Sequence, residues 1–271
     1  MYLNGQEIND KRNEYLQLLD QNEVEQVYQQ YLENNTMFIP REFEQNHGIH
    51  LCTVFRKLPL SSDYKPDFVY LAKSSDNWNV VLVEIEKPSS KYFKNRSNEF
   101  HADFNMALQQ INTWRAWFSE EANRSHFKNN VLQGFIEPAH MGRNPFYFKY
   151  VLVHGRRAEY ENNQLKTSLI SGQQRDDFKI ISFDSLAENI SRKYPLYIAV
   201  KKNSHYELVS KEFVDDSIFA LVNTDLLAIS QEIYDDAMAK SSTWFTGKIT
   251  DQGLVKAMAD ALPKIKIIKN T

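Results

Sequence analysis

The sequence predicts an α/β fold in which one mixed central sheet is covered by helices on both faces. Apolar runs of strand length recur along the chain, and the run at 80–85 is apolar on both faces, as in a strand buried inside a covered sheet. These runs alternate with amphipathic helical patterns. The 271 residues, 42% of them hydrophobic, are enough for one large core or for a core with a smaller appendage.

The first two thirds of the chain should contain a helix, three strands, a helix, two strands and a helix, in that order. A turn-forming cluster, SSDN, separates the second and third strand-like runs and predicts a hairpin. Ser185 and Glu188 predict a capping box for the last helix. The expected ranges are a helix at 22–34, strands at 49–58, 67–73 and 78–88, a helix at 98–119, a strand at 146–155 and a strand turning into a helix at 178–190.

The pattern changes near residue 195, which divides a core at 1–194 from a C-terminal extension at 195–271 that should pack on it. A hairpin should turn at Lys202 and Asn203, and a weak helix at 254–262 should precede the apolar tail IKIIK. Between them, 217–240 predicts one long helix with apolar side chains on more than one face. Such a helix favours a homo-oligomer, unless both faces are covered within the monomer.

Composition excludes several classes of protein and favours a cytoplasmic one. The first residues lack the apolar segment of a secretory leader and no run of about 18 apolar residues occurs, so we expect a protein that is neither secreted nor membrane-bound. The single cysteine, Cys52, excludes a disulfide framework and a Cys-rich zinc site. A net charge of -3 does not favour nucleic acid, although a local basic strip can still receive phosphates. Candidates for such a strip are Lys91, Lys94, Arg96, Arg156 and Arg157, and a solvated face is the alternative for each.

The residues with the strongest chemical signal lie in KPDFVYLAKSSDNWNVVLVEIEKP. Alternation along a strand directs Glu84 and Glu86 to one face and Lys87 to the other. Two carboxylates on the same face of a buried strand need neutralisation, and Mg²⁺ or Mn²⁺ prefers such hard oxygen ligands. Together with Asp67, they form a candidate metal site. The alternative is a frayed strand end that leaves both glutamates in solvent.

Five segments resemble one known family when they are taken in order: PDF, VVLVEIEKP, FNMALQQINTWRAWF, YVLVHGRR and KIISFDSL. Over roughly residues 20–192 the chain is similar to the Shedu family of bacterial anti-phage nucleases, a branch of the PD-(D/E)XK superfamily. The resemblance implies a restriction-endonuclease-like core and a magnesium-dependent endonuclease or nickase that acts on DNA. It also implies that an Asp and a Glu bind the metal, while a Lys two residues after the Glu helps to orient the attacking water.

Matched to this pattern, Asp67 and Glu84 are the metal-binding carboxylates, and Gln110 and Glu25 are the assisting residues on the two helices. Glu86 stands where the family has its Lys, and it can serve as a further metal ligand or as a general base. Lys87 can replace that lysine only if a bulge turns it inward.

Three alternatives remain. Taken alone, Gln110 is better explained as a residue of a solvated helix face, and Glu25 more strongly so. The departure at Glu86 leaves open a catalytically degenerate fold that binds DNA or protein. An unrelated metabolic α/β protein is the third possibility.

Overall fold

The computed structural model describes residues 5–135, 141–188, 190, 193–211, 214–215, 217–244 and 260–268. The helices in these ranges are α1 (Gly5–Leu19), α2 (Glu25–Asn34), α3 (Ala102–Ser119), α4 (Glu121–His126), α5 (Gln164–Ser171), α6 (Phe183–Leu186), α7 (Ser217–Leu221) and α8 (Gln231–Trp244). The strands are β1 (Ile49–Arg56), β2 (Phe68–Lys73), β3 (Trp78–Ile85), β4 (Phe146–Val153), β5 (Phe178–Ile181), β6 (Tyr197–Lys201), β7 (Tyr206–Leu208), β8 (Leu227–Ile229) and β9 (Lys266–Ile267).

The described strands form one mixed sheet in the order β5-β4-β3-β2-β1-β6-β7-β8-β9. β1, β2 and β3 pair antiparallel, whereas β4 and β5 add to β3 in parallel. β6 pairs in parallel with β1, so the sheet continues without interruption past residue 195. The expectation of a mixed α/β sheet flanked by helices is confirmed.

The sheet separates two hydrophobic cores, and alternation along β3 supplies both. Val80 and Leu82 pack in one core with Ile111 and other residues of α3. Val81 and Val83 pack in the other core with residues of α1 and α2. Because both faces are covered, β3 is apolar on both sides, as its sequence predicted.

A bulge in β1 determines how its C-terminal end pairs with β2. Ile49 lies opposite Ala72 and Val54 opposite Tyr70, so β1 advances by five residues while β2 advances by two. The three extra residues of β1 include Leu51 and Cys52, whose φ angles are 53° and 47°. Left-handed backbone at two consecutive residues with side chains is strained. The strain accompanies a register in which Arg56 lies opposite Phe68.

Several predicted elements differ from the structure. α1 and α5 were not predicted, since neither has a strong apolar stripe. The predicted capping box is wrong, because the side chain of Ser182 caps α6 by accepting from the backbone N–H of Ser185. Glu188 instead bonds the guanidinium of Arg157.

The long helix predicted at 217–240 is also wrong. α7 ends at Leu221, a 3₁₀ turn follows at Thr224–Leu226, and Leu227–Ile229 form β8 beside β7 before α8 begins. Pairing with the sheet overrides the local helical pattern here. Leu227, Ile229 and Ile233 are buried within the chain, so they no longer argue for an assembly.

The rest of the C-terminal region agrees in part with its pattern. The hairpin of β6 and β7 is confirmed and is closed by the N–H of Lys202 donating to the carbonyl of His205. Most of the helix predicted at 254–262 lies outside the described residues. The start of the apolar tail forms β9, which pairs with β8. Among the described helices, none combines the length and apolar character that a membrane span requires.

Gly155 lies where β4 leaves the sheet, and its φ of 53° favours glycine. A Cβ at this position would lie 2.7 Å from the carbonyl oxygen of Ser90 and 2.8 Å from the ring of Tyr92. We expect Gly155→Ala to lower the free energy of unfolding by about 2 kcal/mol, measured by urea denaturation. Gly5→Ala is the control, because no atom of the described residues lies within 4 Å of its added Cβ. Equal effects of the two substitutions would contradict this account.

Candidate active site

Three polar residues lie side by side at one end of the sheet, where β1 and β3 end and β2 begins. The ladder of β2 and β3 begins with Phe68 opposite Val83, which brings Asp67 opposite Glu84. On the other side, the N–H of Lys57 donates to the carbonyl of Asp67 at 3.0 Å. Lys57, Asp67 and Glu84 therefore form a row across three neighbouring strands, which we call the polar row.

Asp67 is the centre of the polar row, and its side chain is only 1% exposed. Its Oδ1 accepts from the ammonium of Lys57, and its Oδ2 accepts from the backbone N–H of Ile85 at 2.8 Å. An ionised carboxylate at such a buried position requires partners of this kind. The ion pair with Lys57 and the bond to the backbone meet that requirement.

Glu84 lies on the same face of the sheet as Asp67, towards α3. Its Oε1 accepts from the side-chain amide of Gln110, whereas its Oε2 is buried with no hydrogen-bond partner among the described residues. Desolvation, and then the charge of Asp67, raises the pKa of Glu84 well above its ordinary value, although Lys57 opposes this. The unpartnered oxygen therefore lies in a negative environment that a cation would stabilise.

Glu86 and Glu25 add two carboxylates beside the polar row. Desolvation, and then the charges of Glu25, Asp67 and Asp103, raises the pKa of Glu86 to about 7. Desolvation and the charge of Asp67 likewise raise the pKa of Glu25, which is the first residue of α2. α2 therefore contributes to the same electrostatic environment as the three strands.

Lys57 is the residue of the candidate site that the sequence pattern did not reveal. Burial is the largest single influence on its pKa and lowers it, but Asp67, Glu84 and Glu25 together raise the pKa above its ordinary value. Its side chain remains 44% exposed, so the ammonium is accessible from solvent. Lys57 lay within a predicted strand, yet its pairing with Asp67 depends on the bulge of β1, which has no clear sequence signal.

The remaining predicted site residues lie in other environments. Lys87 is exposed and lines a cavity with Glu25. Arg156 bonds Asp184 at 2.9 Å and Asp20 at 2.8 Å, and Arg157 bonds Ser185 and Glu188. These contacts occupy both guanidinium groups with partners inside the fold. In the other candidate strip, Lys94 is paired with Glu99, while Lys91 and Arg96 have no such ion pair among the described residues.

The carboxylate oxygens of the site suit a hard divalent cation, but among the described residues they are not arranged as a preformed set of ligands. Asp67 and Glu84 offer carboxylate oxygens, and the buried Oε2 of Glu84 lacks a partner. Across the described ranges, no group of three or more His, Cys, Asp or Glu side chains is arranged to hold a metal ion. The ammonium of Lys57 already contacts Asp67, so a metal ion must share that carboxylate with the lysine.

Comparison with known protein families shows to which of them this chain is related. The profile of the family described as Shedu protein SduA, C-terminal, matches residues 22–187, more than half of the chain. The chain belongs to this Shedu family. Membership implies a role in anti-phage defence. The matched range contains the whole polar row together with Glu25, Glu86 and Gln110. No curated protein matches the Shedu chain.

The raised pKa of Glu86 predicts how the metal-free Shedu chain responds to pH. Its pKa is about 7 when folded and about 4.5 when unfolded, so the folded state binds this proton more tightly and loses stability as pH rises between these values. Glutamine cannot ionise. We expect Glu86→Gln to gain about 1 kcal/mol of stability relative to the natural chain between pH 5 and pH 8, after allowance for partial exposure.

Urea denaturation in EDTA measures this difference at each pH. Glu120→Gln, on an exposed residue after α3, is the matched control and should show the same difference from the natural chain at both pH values. A Glu86→Gln effect that does not change with pH would contradict the assignment.

Proposed function

We propose that this Shedu chain is a divalent-metal-dependent DNA endonuclease or nickase that acts in anti-phage defence. The observation that carries the proposal is the polar row, in which Lys57, Asp67 and Glu84 are juxtaposed across three strands and Gln110 contacts Glu84. A lysine beside two carboxylates suits the hydrolysis of a phosphodiester, since the reaction needs both a bound cation and a donor for developing negative charge.

Asp67 and Glu84 are the residues that would hold Mg²⁺ or Mn²⁺, because their carboxylates lie opposite each other at one end of the sheet. When bound, the ion polarises a phosphoryl oxygen and lowers the pKa of a water molecule. The unpartnered Oε2 of Glu84 supports this assignment.

The protein's own residues supply positioning and proton transfer. Lys57 takes the part that the family pattern gives to the lysine two residues after the Glu, and it orients the water through its ammonium. Glu86 accepts the proton of that water, because it is a carboxylate beside the polar row. Gln110 fixes the carboxylate of Glu84 through its amide. Glu25 adds negative charge from α2.

One site of this kind cuts one strand of a duplex. A single copy should therefore nick, whereas severing both strands needs two visits or a symmetric pair of copies. We include a homo-oligomer in the proposal on this ground alone.

A second candidate function is a degenerate nuclease fold that binds DNA or a protein without cutting. The ion pair of Lys57 with Asp67 favours it, because the ammonium already neutralises the carboxylate that a metal ion would need. In this case Lys57 is a permanent counter-ion, and the chain has no need of a divalent cation.

Cleavage of supercoiled plasmid in Mg²⁺ or EDTA tests the proposal. We expect Asp67→Ala and Glu84→Ala to lower the rate by about 10³-fold or more, and Lys57→Ala by about 10²-fold, because each removes a group that acts on the reacting phosphate or water. Glu86→Ala should cost more than Lys87→Ala, which should remain within a few-fold of the natural chain. Lys87 is the matched control for Lys57, as an exposed lysine at the same end of the sheet.

Absence of cleavage by the natural chain in either metal, with DNA binding retained, would establish the degenerate function instead. A larger loss from Lys87→Ala than from Lys57→Ala would transfer the positioning role to Lys87.

A further inference from the structure

Glu33 links the last turn of α2 to the end of β1. One of its carboxylate oxygens accepts from the guanidinium of Arg56 at 2.8 Å, and the other accepts from the side-chain amide of Gln29 at 3.0 Å. The side chain of Glu33 is only 13% exposed, and Gln29 is buried. Hydrogen bonds to a carboxylate are strong where water is largely excluded, so these two contacts hold Glu33 in one orientation.

Arg56 is the last residue of β1, and the sheet pairs it on one side only. It lies opposite Phe68 of β2, whereas the described pairing of β1 with β6 ends at Phe55. The contact with Glu33 therefore gives Arg56 a second attachment, which is to a helix rather than to a strand.

Lys57 follows Arg56 directly and has a strained backbone. Its φ of 47° lies in the left-handed region, which a residue with a side chain adopts only when its surroundings hold it there. In this conformation its N–H donates to the carbonyl of Asp67 at 3.0 Å, and its ammonium contacts the carboxylate of the same residue. The place of the ammonium in the polar row thus depends on a backbone conformation that is unfavourable for an isolated lysine.

Two fixed residues flank Lys57. After it, Leu58 is completely buried in the core on the α3 side of the sheet. Before it, Arg56 is held by Glu33 on the α2 side. Strain at one residue persists while the residues on either side are fixed, so loss of either contact should let the backbone of Lys57 relax. The contact with Glu33 can be removed without opening a cavity in the hydrophobic core.

We propose that Glu33 is a positioning residue of the candidate active site, which acts through Arg56 to hold Lys57 against Asp67. Gln29 supports it by fixing the second carboxylate oxygen of Glu33. The consequence for cleavage rests on the proposed function, in which the ammonium of Lys57 orients the attacking water. The consequence for the backbone of Lys57 is independent of that function and can be measured in the metal-free chain.

Hydrogen exchange at the backbone amide of Lys57 tests the proposal without cleavage. Two-dimensional NMR of the isotopically labelled full chain in EDTA gives the exchange rate of the N–H that donates to Asp67. We expect Glu33→Ala and Arg56→Ala each to raise this rate by about tenfold, since each removes the charge-assisted contact that opposes local opening.

The matched control is the ion pair of Arg115 with Asp177. Its two hydrogen bonds, of 3.0 and 3.1 Å, join α3 to the segment before β5, and its side chains are 25% and 34% exposed. Arg115→Ala should lower the free energy of unfolding in urea about as much as Arg56→Ala does, but it should leave the exchange rate of Lys57 unchanged. An equal rise of that rate in both variants would show that Glu33 only stabilises the fold, and would overturn the proposal.

Plasmid cleavage supplies a second measurement. We expect Glu33→Ala to lower kcat by about tenfold with KM nearly unchanged, because a displaced ammonium orients the water poorly but does not alter the binding of the substrate. Glu33→Ala combined with Arg56→Ala should cost no more than either substitution alone, since both remove the same link. Additive losses would contradict a role of Glu33 through Arg56.

The outcomes separate the two proposals. If the exchange rate of Lys57 is unchanged in Glu33→Ala and Arg56→Ala, the positioning role is overturned, whether or not the natural chain cleaves. If the rate rises in both variants but the natural chain never cleaves, Glu33 holds Lys57 as inferred and the proposed function fails. A rise in the exchange rate without a fall in kcat would overturn the part of Glu33 in cleavage.

Discussion

The ion pair between Lys57 and Asp67 is the interaction on which the rest of the site depends. Asp67 is buried at the end of a central strand, where an unpaired charge would destabilise the fold by several kcal/mol. The bulge in β1 supplies the partner. If β1 continued in the register of Ile49 opposite Ala72, the residue facing Asp67 would be Val54 rather than Lys57. Leu51 and Cys52 have left-handed backbone conformations and are strained. The ion pair that Lys57 makes with Asp67 offsets the energy of this strain.

The second constraint is the excess of carboxylates around that ion pair. Glu84, Glu86 and Glu25 all have raised pKa values, with desolvation as the first cause and neighbouring carboxylates among the others. One lysine does not neutralise four acidic groups. The cluster therefore retains protons near neutral pH or takes up a cation. The unpartnered oxygen of Glu84 favours the uptake of a cation.

How far the site follows from sequence depends on whether a residue's partners are local. The SSDN turn predicted the hairpin of β2 and β3, and the family pattern singled out Asp67 and Glu84, which the short hairpin places opposite each other. Lys57 was not predictable, since its position opposite Asp67 depends on the bulge earlier in β1, and a loop of nine residues separates the two. Arg156 illustrates the same limit, because Asp20 and Asp184 bind it from distant segments. The helix predicted at 217–240 failed because β8 finds its pairing in the sheet.

The central claim is that the polar row holds a divalent cation together with Lys57, rather than using Lys57 in place of one. Calorimetric titration of Mn²⁺ into the metal-free chain tests it most directly. The account predicts saturable binding to the natural chain, loss of binding in Asp67→Ala, and equal or tighter binding in Lys57→Ala, where no ammonium competes for the carboxylate. Absence of binding by the natural chain at millimolar Mn²⁺, with binding gained only in Lys57→Ala, would show that the lysine replaces the metal and would contradict the claim.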